Sequence, residues 1–215
     1  MNFFELITPI RIYILFTFIM VAINHDKSKK VHVVLFYLLL LSVANESITA
    51  ILKYKGIPRF LNNSIFIIIN NIVWFLILYL ISSINKSLLL AAVLFFAGFT
   101  LYNFFFLNGI KEFNFYTFVI GALLYLVLFI HNSFSELKAE NLNYFLSNNF
   151  ILMVSPVLFF IGFSLLFAFS DKNIHKIFLF ERITLYNLIS YFVNIIYYSL
   201  VNIYIYRETK MGHVK

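Results

Sequence analysis

The sequence predicts an all-α fold, a polytopic transmembrane helical bundle of about seven spans with no soluble domain, and three observations carry that prediction. Of the 215 residues, 62% are hydrophobic and only 12% are charged, against about 45–50% and about 25% in soluble domains. The mean hydropathy is +0.92. The apolar residues fall in continuous runs of about 20, the length of helix that crosses a hydrocarbon core. A barrel would instead show weaker alternating pieces of about ten residues. Because a lipid-embedded backbone must satisfy its own hydrogen bonds, continuous runs of this length select helices.

The runs place helices at about 7–24, 31–53, 61–82, 87–107, 114–132, 149–170 and 183–206, forming one transmembrane domain over 1–215. The first follows "MNFFELITPIR", which has an acid where a secretory signal needs a basic region, so it is read as a retained helix. The second carries Glu46 in "ANES" and ends on "KYKGIPR". The third holds Asn63, Asn70, Asn71 and Trp74, and the fourth ends near Asn103. The fifth begins near Tyr116 and is read as continuing past the membrane through "SFSELKAENLNYFL". The alternative for that segment is a lipid-lying helix capped by Ser133 and Glu136. The sixth contains Pro156, which predicts a kink, with Ser155 placed to satisfy a freed carbonyl. The seventh is "LYNLISYFVNIIYYSL". Gly98, Gly121 and Gly162 are read as points of close helix approach.

Composition excludes several function classes. There is no cysteine, hence no disulfide, thiol catalysis or cysteine metal site. The five histidines lie at or beyond the membrane boundary without zinc spacing, so no metal is expected. An intramembrane aspartyl enzyme needs two acids, and a retinal protein needs a lysine within its last helix; neither is present. No connection is long enough to fold a core of its own. The chain is therefore read as neither an enzyme nor a cofactor carrier. Its net charge of +7 is scattered over the connections, which points to lipid head groups rather than nucleic acid. The basic residues divide eight and eight between the two sides. Three lysines directly after the first helix, against Arg11 before it, favour an outside N-terminus and inside C-terminus in a bacterial inner membrane.

Glu46 is the one acid placed deep in a run. It lies seven residues before Lys53, roughly 10 Å below the surface at the helical rise per residue. A charge at depth is costly, so Glu46 is expected to be protonated, hydrogen-bonded or paired. Ser42, Glu46, Thr49 and Lys53 share a helix face by their three- and four-residue spacing. Asn187, Tyr191, Asn194, Tyr198 and Asn202 form a similar seam in the seventh helix. Depth places Glu46, Asn70, Asn71, Asn187 and Asn194 in the same half of the bilayer, with Trp74, Asn103 and Tyr116 nearby. These side chains, together with Tyr191, form the candidate ligand pocket; the competing reading is interhelical packing, worth only about 0.6 kcal/mol per hydrogen bond.

The order of "ANES", Asn62 or Asn63 with Trp74, "LYNFFFLNGIKEFNFYTF", "SPVLFFIGFSLLFAFS" and "LYNLISYFVNIIYYSL" resembles that of uncharacterised seven-helix membrane proteins of Bacteroidota often found near signalling (sensor kinase) genes. The sixth helix departs from that pattern, with Leu158 and Phe159 where an aromatic pair ending in Trp is usual. The resemblance implies a sensory or accessory role exercised through a membrane or cytoplasmic signalling partner. Two other classes stay open: a small transporter or channel in which Glu46 binds a proton or cation, and a structural subunit whose seams only pack.

Overall fold

The computed structural model describes residues 8–109, 111–168, 178–180 and 183–212. It is an all-α bundle. In chain order the helices are α1 (Pro9–Asn24), α2 (Lys30–Tyr54), α3 (Phe60–Ile81), α4 (Lys86–Tyr102), α5 (Phe115–Lys138), α6 (Leu142–Leu146), α7 (Asn148–Val154), α8 (Val157–Ala168) and α9 (Leu185–Gly212). A π turn over Asn103–Leu107 extends α4, so that the Asn108 N–H bonds back to the Asn103 carbonyl. Ahead of α9, β1 (Phe178–Phe180) and β2 (Ile183–Thr184) form a small antiparallel pair with Phe178 opposite Thr184.

Six helical segments among the described residues are long and apolar enough to cross a membrane, α7 and α8 counting together as one. The chain is a multi-pass membrane protein. The first expected span is shorter than the rest, because α1 has 16 residues, a rise of about 24 Å against a core of about 30 Å. Pro9 opens α1 at a position where its missing N–H costs nothing, and the Thr8 hydroxyl accepts from the Arg11 N–H.

The helices close into a ring. Going round it, α1 packs on α2, α2 on α3, α3 on α5, α5 on α8, the α7–α8 unit on α9, and α9 on α1. Helix α4 stands outside, held by α3 and α5. In lipid, apolar burial gives little net drive between helices, so close packing and polar bonds must hold the seams. The Tyr13 and Ser199 hydroxyls meet at 2.7 Å, and the Asn202 amide donates to the Thr17 hydroxyl at 3.0 Å, joining α1 to α9. At the end where α2 begins and α9 finishes, Glu208 accepts from Lys29 and from the Asn148 amide. In the short connection before α2, the Ser28 hydroxyl and N–H both donate to Asp26 and hold its carboxyl below its ordinary value.

Two glycines make the predicted close approach. A Cβ on Gly121 would lie 2.6 Å from Asn71 Oδ1 and 2.8 Å from Phe96 Cε2, and one on Gly162 would lie 2.6 Å from Val193 Cγ1. Gly98 differs from expectation: it is exposed on α4, and a Cβ there would meet nothing within 4 Å. The reason is that α4 lies outside the ring. Pro156 breaks the sixth span as expected, separating α7 from α8. It cannot donate to the Leu152 carbonyl, and Ser155 supplies that oxygen instead, with its hydroxyl at 2.8 Å and its N–H at 3.2 Å. Ser133 lies inside α5, which continues to Lys138, so the lipid-lying helix capped by Ser133 does not form. Glu136 instead accepts from the Ser83 hydroxyl and the Asn141 amide.

Candidate functional site

The ring encloses a cavity of ≈ 720 Å³ to which α1, α2, α3, α5, α8 and α9 all contribute, a volume typical of small-molecule sites. Its depth follows from the helices. On α9 the lining runs from Tyr186 to Tyr198, about 18 Å of rise. On α2 it runs from Lys53 down to Ser42, and on α3 from Asn63 down to Asn70. One end therefore lies at the surface carrying the α2–α3 connection, where Lys53, Arg59, Tyr186 and Asn187 are exposed among the described residues. The other end stops near mid-bilayer.

An aromatic floor closes that deep end. Trp74 is 1% exposed, and its ring meets Tyr197 at 5.8 Å and Tyr125 at 6.0 Å in edge-to-face contacts. The Tyr125 hydroxyl donates to the Met153 carbonyl at 2.8 Å, which satisfies a polar group buried in the bundle. Tyr197 also packs on Phe159 at 5.4 Å. Edge-to-face geometry of this kind adds to packing beyond area alone.

The walls differ in chemistry. Phe159, Phe163 and Phe167 recur every fourth residue on α8 and present one stripe to the cavity. Phe118 of α5 packs on all three, with centroids 5.2–6.3 Å apart, and Phe113 packs on Phe167 at 5.1 Å. The remaining walls, from α2, α3 and α9, supply amides and hydroxyls. The Thr49 hydroxyl donates to Asn63 Oδ1 at 3.1 Å, while the Asn62 amide donates to Asn45 Oδ1 at 2.8 Å and to Thr49 at 3.1 Å. These bonds knit α2 to α3. Asn194 turns its amide onto the Ser190 carbonyl one turn back. The side chains of Asn70 and Asn187 make no hydrogen bond to a described residue, although Asn70 is only 7% exposed. Their donors and acceptors are available to whatever fills the cavity.

Glu46 is paired, as its depth requires. Its Oε2 accepts from Arg11 Nε at 2.9 Å, with the two side chains one-third and one-fifth exposed. The partner is an arginine of α1, not the lysine on its own face nor an amide of the third or seventh helix. Arg11 was visible in the sequence on the correct side of the membrane, but hydropathy spacing cannot tell which helices are neighbours. Ser42, Thr49 and Lys53 share the cavity with Glu46, so the four-residue face on α2 is continuous.

Of the nine candidate residues, Glu46, Asn70, Asn187, Tyr191 and Asn194 line the cavity. Asn71 points the other way, its amide bonded to the Ile67 carbonyl and its Oδ1 against Gly121 of α5. Trp74 lies beneath the cavity in the aromatic floor. Asn103 is fully buried at the end of α4, donating to Thr117 at 2.8 Å and Asn114 at 3.4 Å. Tyr116 is 46% exposed on the outside of α5. Residues that spacing did not single out include Arg59 and the phenyl wall. The four-residue repeat of Phe159, Phe163 and Phe167 was the available signal. Among the described residues no three His, Asp or Glu side chains converge to hold a metal. No family model matches the chain, and no curated protein or solved structure matches it either.

Proposed function

We propose that this protein is a receptor-like or accessory membrane protein, not itself an enzyme, that binds a ligand in the ring cavity and signals through a separate partner protein. The observation that supports this reading best is the blind shape of the cavity: it reaches about 18 Å along α9 and ends on the Trp74, Tyr125 and Tyr197 floor. A dead-end site of this size suits a bound small molecule; a carrier caught open to one side would end near the midplane in the same way, so flux, not shape, separates the two readings. Its walls belong to six helices, so occupancy would bias their packing, and a partner in contact with the bundle would read that bias. With the N-terminus outside a bacterial inner membrane, the cavity faces outward and the long C-terminal end of α9 faces in.

A second reading, proton- or cation-coupled transport through Glu46, rests on the presence of that carboxylate in the cavity wall. Reconstituted proteoliposomes separate the two. The receptor reading expects no proton, sodium or potassium flux above empty liposomes. Flux that disappears in Glu46→Gln would overturn it in favour of the carrier.

A further inference from the structure

The cavity is unevenly charged. Among the described residues, Arg11, Lys53 and Arg59 line it against one carboxylate, Glu46, which already accepts a hydrogen bond from Arg11. Lys53 and Arg59 stand at the surface end and form no ion pair with a described residue. Beside them Asn187, one turn into α9, and deeper down Asn70 offer unused amide N–H groups. In the same cavity, the phenyl stripe of Phe159, Phe163 and Phe167 on α8 runs down to the Tyr197 floor.

We propose that the cavity binds an anionic amphiphile: a single carboxylate or phosphate head received by Lys53 and Arg59, with an apolar chain or ring system laid along the phenyl stripe. This deepens the receptor reading and rests on the cavity being a ligand site. A cation would meet an excess of positive charge at the entrance. A small hydrophilic anion would leave the phenyl wall uncovered, and a neutral hydrocarbon would desolvate the two cations and the free amides without replacing their hydrogen bonds. An amphiphile of this polarity satisfies both halves at once. It also matches how it would arrive, since the head is held at the level of the membrane surface and the apolar part at the level of the acyl chains.

The chain has one tryptophan, and Trp74 lies one ring contact, 5.8 Å, from the cavity-lining Tyr197. It reports on the deep end directly. Full-length protein in phosphatidylcholine nanodiscs is titrated with dodecanoate carrying a terminal bromine, a heavy-atom quencher, and in parallel with the matching bromo-alcohol. The expected result is saturable quenching by the acid, reversed by unlabelled dodecanoate, with the alcohol binding about tenfold more weakly. The double variant Lys53→Ala, Arg59→Ala should bring the acid to the affinity of the alcohol. Both side chains are exposed, and an unchanged melting profile shows that the fold is kept. Saturable quenching by acid and alcohol alike, or an unchanged acid affinity in the double variant, overturns the anionic preference and leaves the cavity as a ligand site. Absence of saturable quenching by either probe removes the ligand site, and the receptor reading goes with it. Where the acid is preferred, adding phosphatidylglycerol to the nanodisc tells the source: competition assigns the head to a bilayer lipid, and its absence to a free amphiphile.

Discussion

Alanine placed at Gly121 and at Gly98 should behave oppositely, although both are helical glycines in apolar spans. At Gly121 the new methyl would fall 2.6–2.8 Å from Asn71 Oδ1, Asn71 Cγ and Phe96 Cε2. Neither neighbour is free to retreat: Asn71 is 1% exposed and tied to the Ile67 carbonyl, and Phe96 is 0% exposed and packed on Phe75. Overpacking of this kind costs about 1–3 kcal/mol. The gain of about 0.5–1 kcal/mol from replacing a helical glycine is offset by a similar loss if the Asn71 bond breaks, worth about 0.5–1.5 kcal/mol. The net expectation is a destabilisation of about 1–3 kcal/mol. At Gly98 only the propensity gain remains, so stability should be unchanged or raised by up to about 1 kcal/mol. Equilibrium unfolding in mixed micelles of increasing dodecyl sulfate, followed by Trp74 fluorescence, measures both. If Gly121→Ala unfolds at the same or a higher dodecyl sulfate fraction than Gly98→Ala, the packing of α3 against α5 through this glycine is not as described.

Other expectations follow from the polar seams. Arg11→Gln should lower stability by about 1–3 kcal/mol because it removes the donor to the Glu46 carboxylate, and the double variant with Glu46→Gln should lose less than the sum of the two single changes; strict additivity in the same unfolding assay would deny the pair any coupling. Thr49→Val removes the donor to Asn63 and the acceptor for Asn62, at an expected cost of about 1–2 kcal/mol. Asn62→Leu made on top of it should then cost little more through Thr49, and a full additional loss speaks against the three-residue link. Ser155→Ala should destabilise by about 0.5–1 kcal/mol in the native chain, where the Leu152 carbonyl keeps only the longer bond from the Ser155 N–H, and by less in a Pro156→Ala background, where residue 156 supplies a second main-chain N–H. Equal costs in the two backgrounds would show that the Ser155 hydroxyl does not compensate for the proline.

What was legible in the sequence was periodicity within a helix. Ser42, Glu46, Thr49 and Lys53 are spaced as one face, and all four line the cavity. Asn187, Tyr191, Asn194 and Tyr198 do the same on α9, while Asn202, two turns below Asn194, leaves the cavity and binds Thr17. Depth was less informative than azimuth. Asn70 and Asn71 are at nearly the same level, yet neighbouring residues point about 100° apart on a helix, and only Asn70 reaches the cavity. Tyr116 and Asn103 fail for the same reason, one facing outward and the other consumed by α5. The ring order was not legible, because helix adjacency leaves no local pattern. That is why Arg11 was not matched to Glu46. The phenyl wall was hidden by composition: with 29 phenylalanines in 215 residues, a stripe of three carries little contrast against its surroundings. Gly98 departs from the close-approach pattern because glycine marks such an approach only where a second helix is present, and α4 has its exposed side there.

The closure of the ring through α1 and α9 has a consequence for how the protein is made. The other ring seams join helices closer together along the chain, but Tyr13–Ser199 and Thr17–Asn202, like the Lys29–Glu208 pair at the start of α2, join residues separated by 186, 185 and 179 positions. During synthesis the earlier helices can enter the bilayer and pair in turn, as an open crescent whose amides and Glu46 face the gap. The binding chamber comes into existence only when the last helix docks against the first. Assembly is thereby made its own checkpoint, since a chain cut short before α9 has polar flanks exposed along the membrane interior and no chamber for a ligand to occupy.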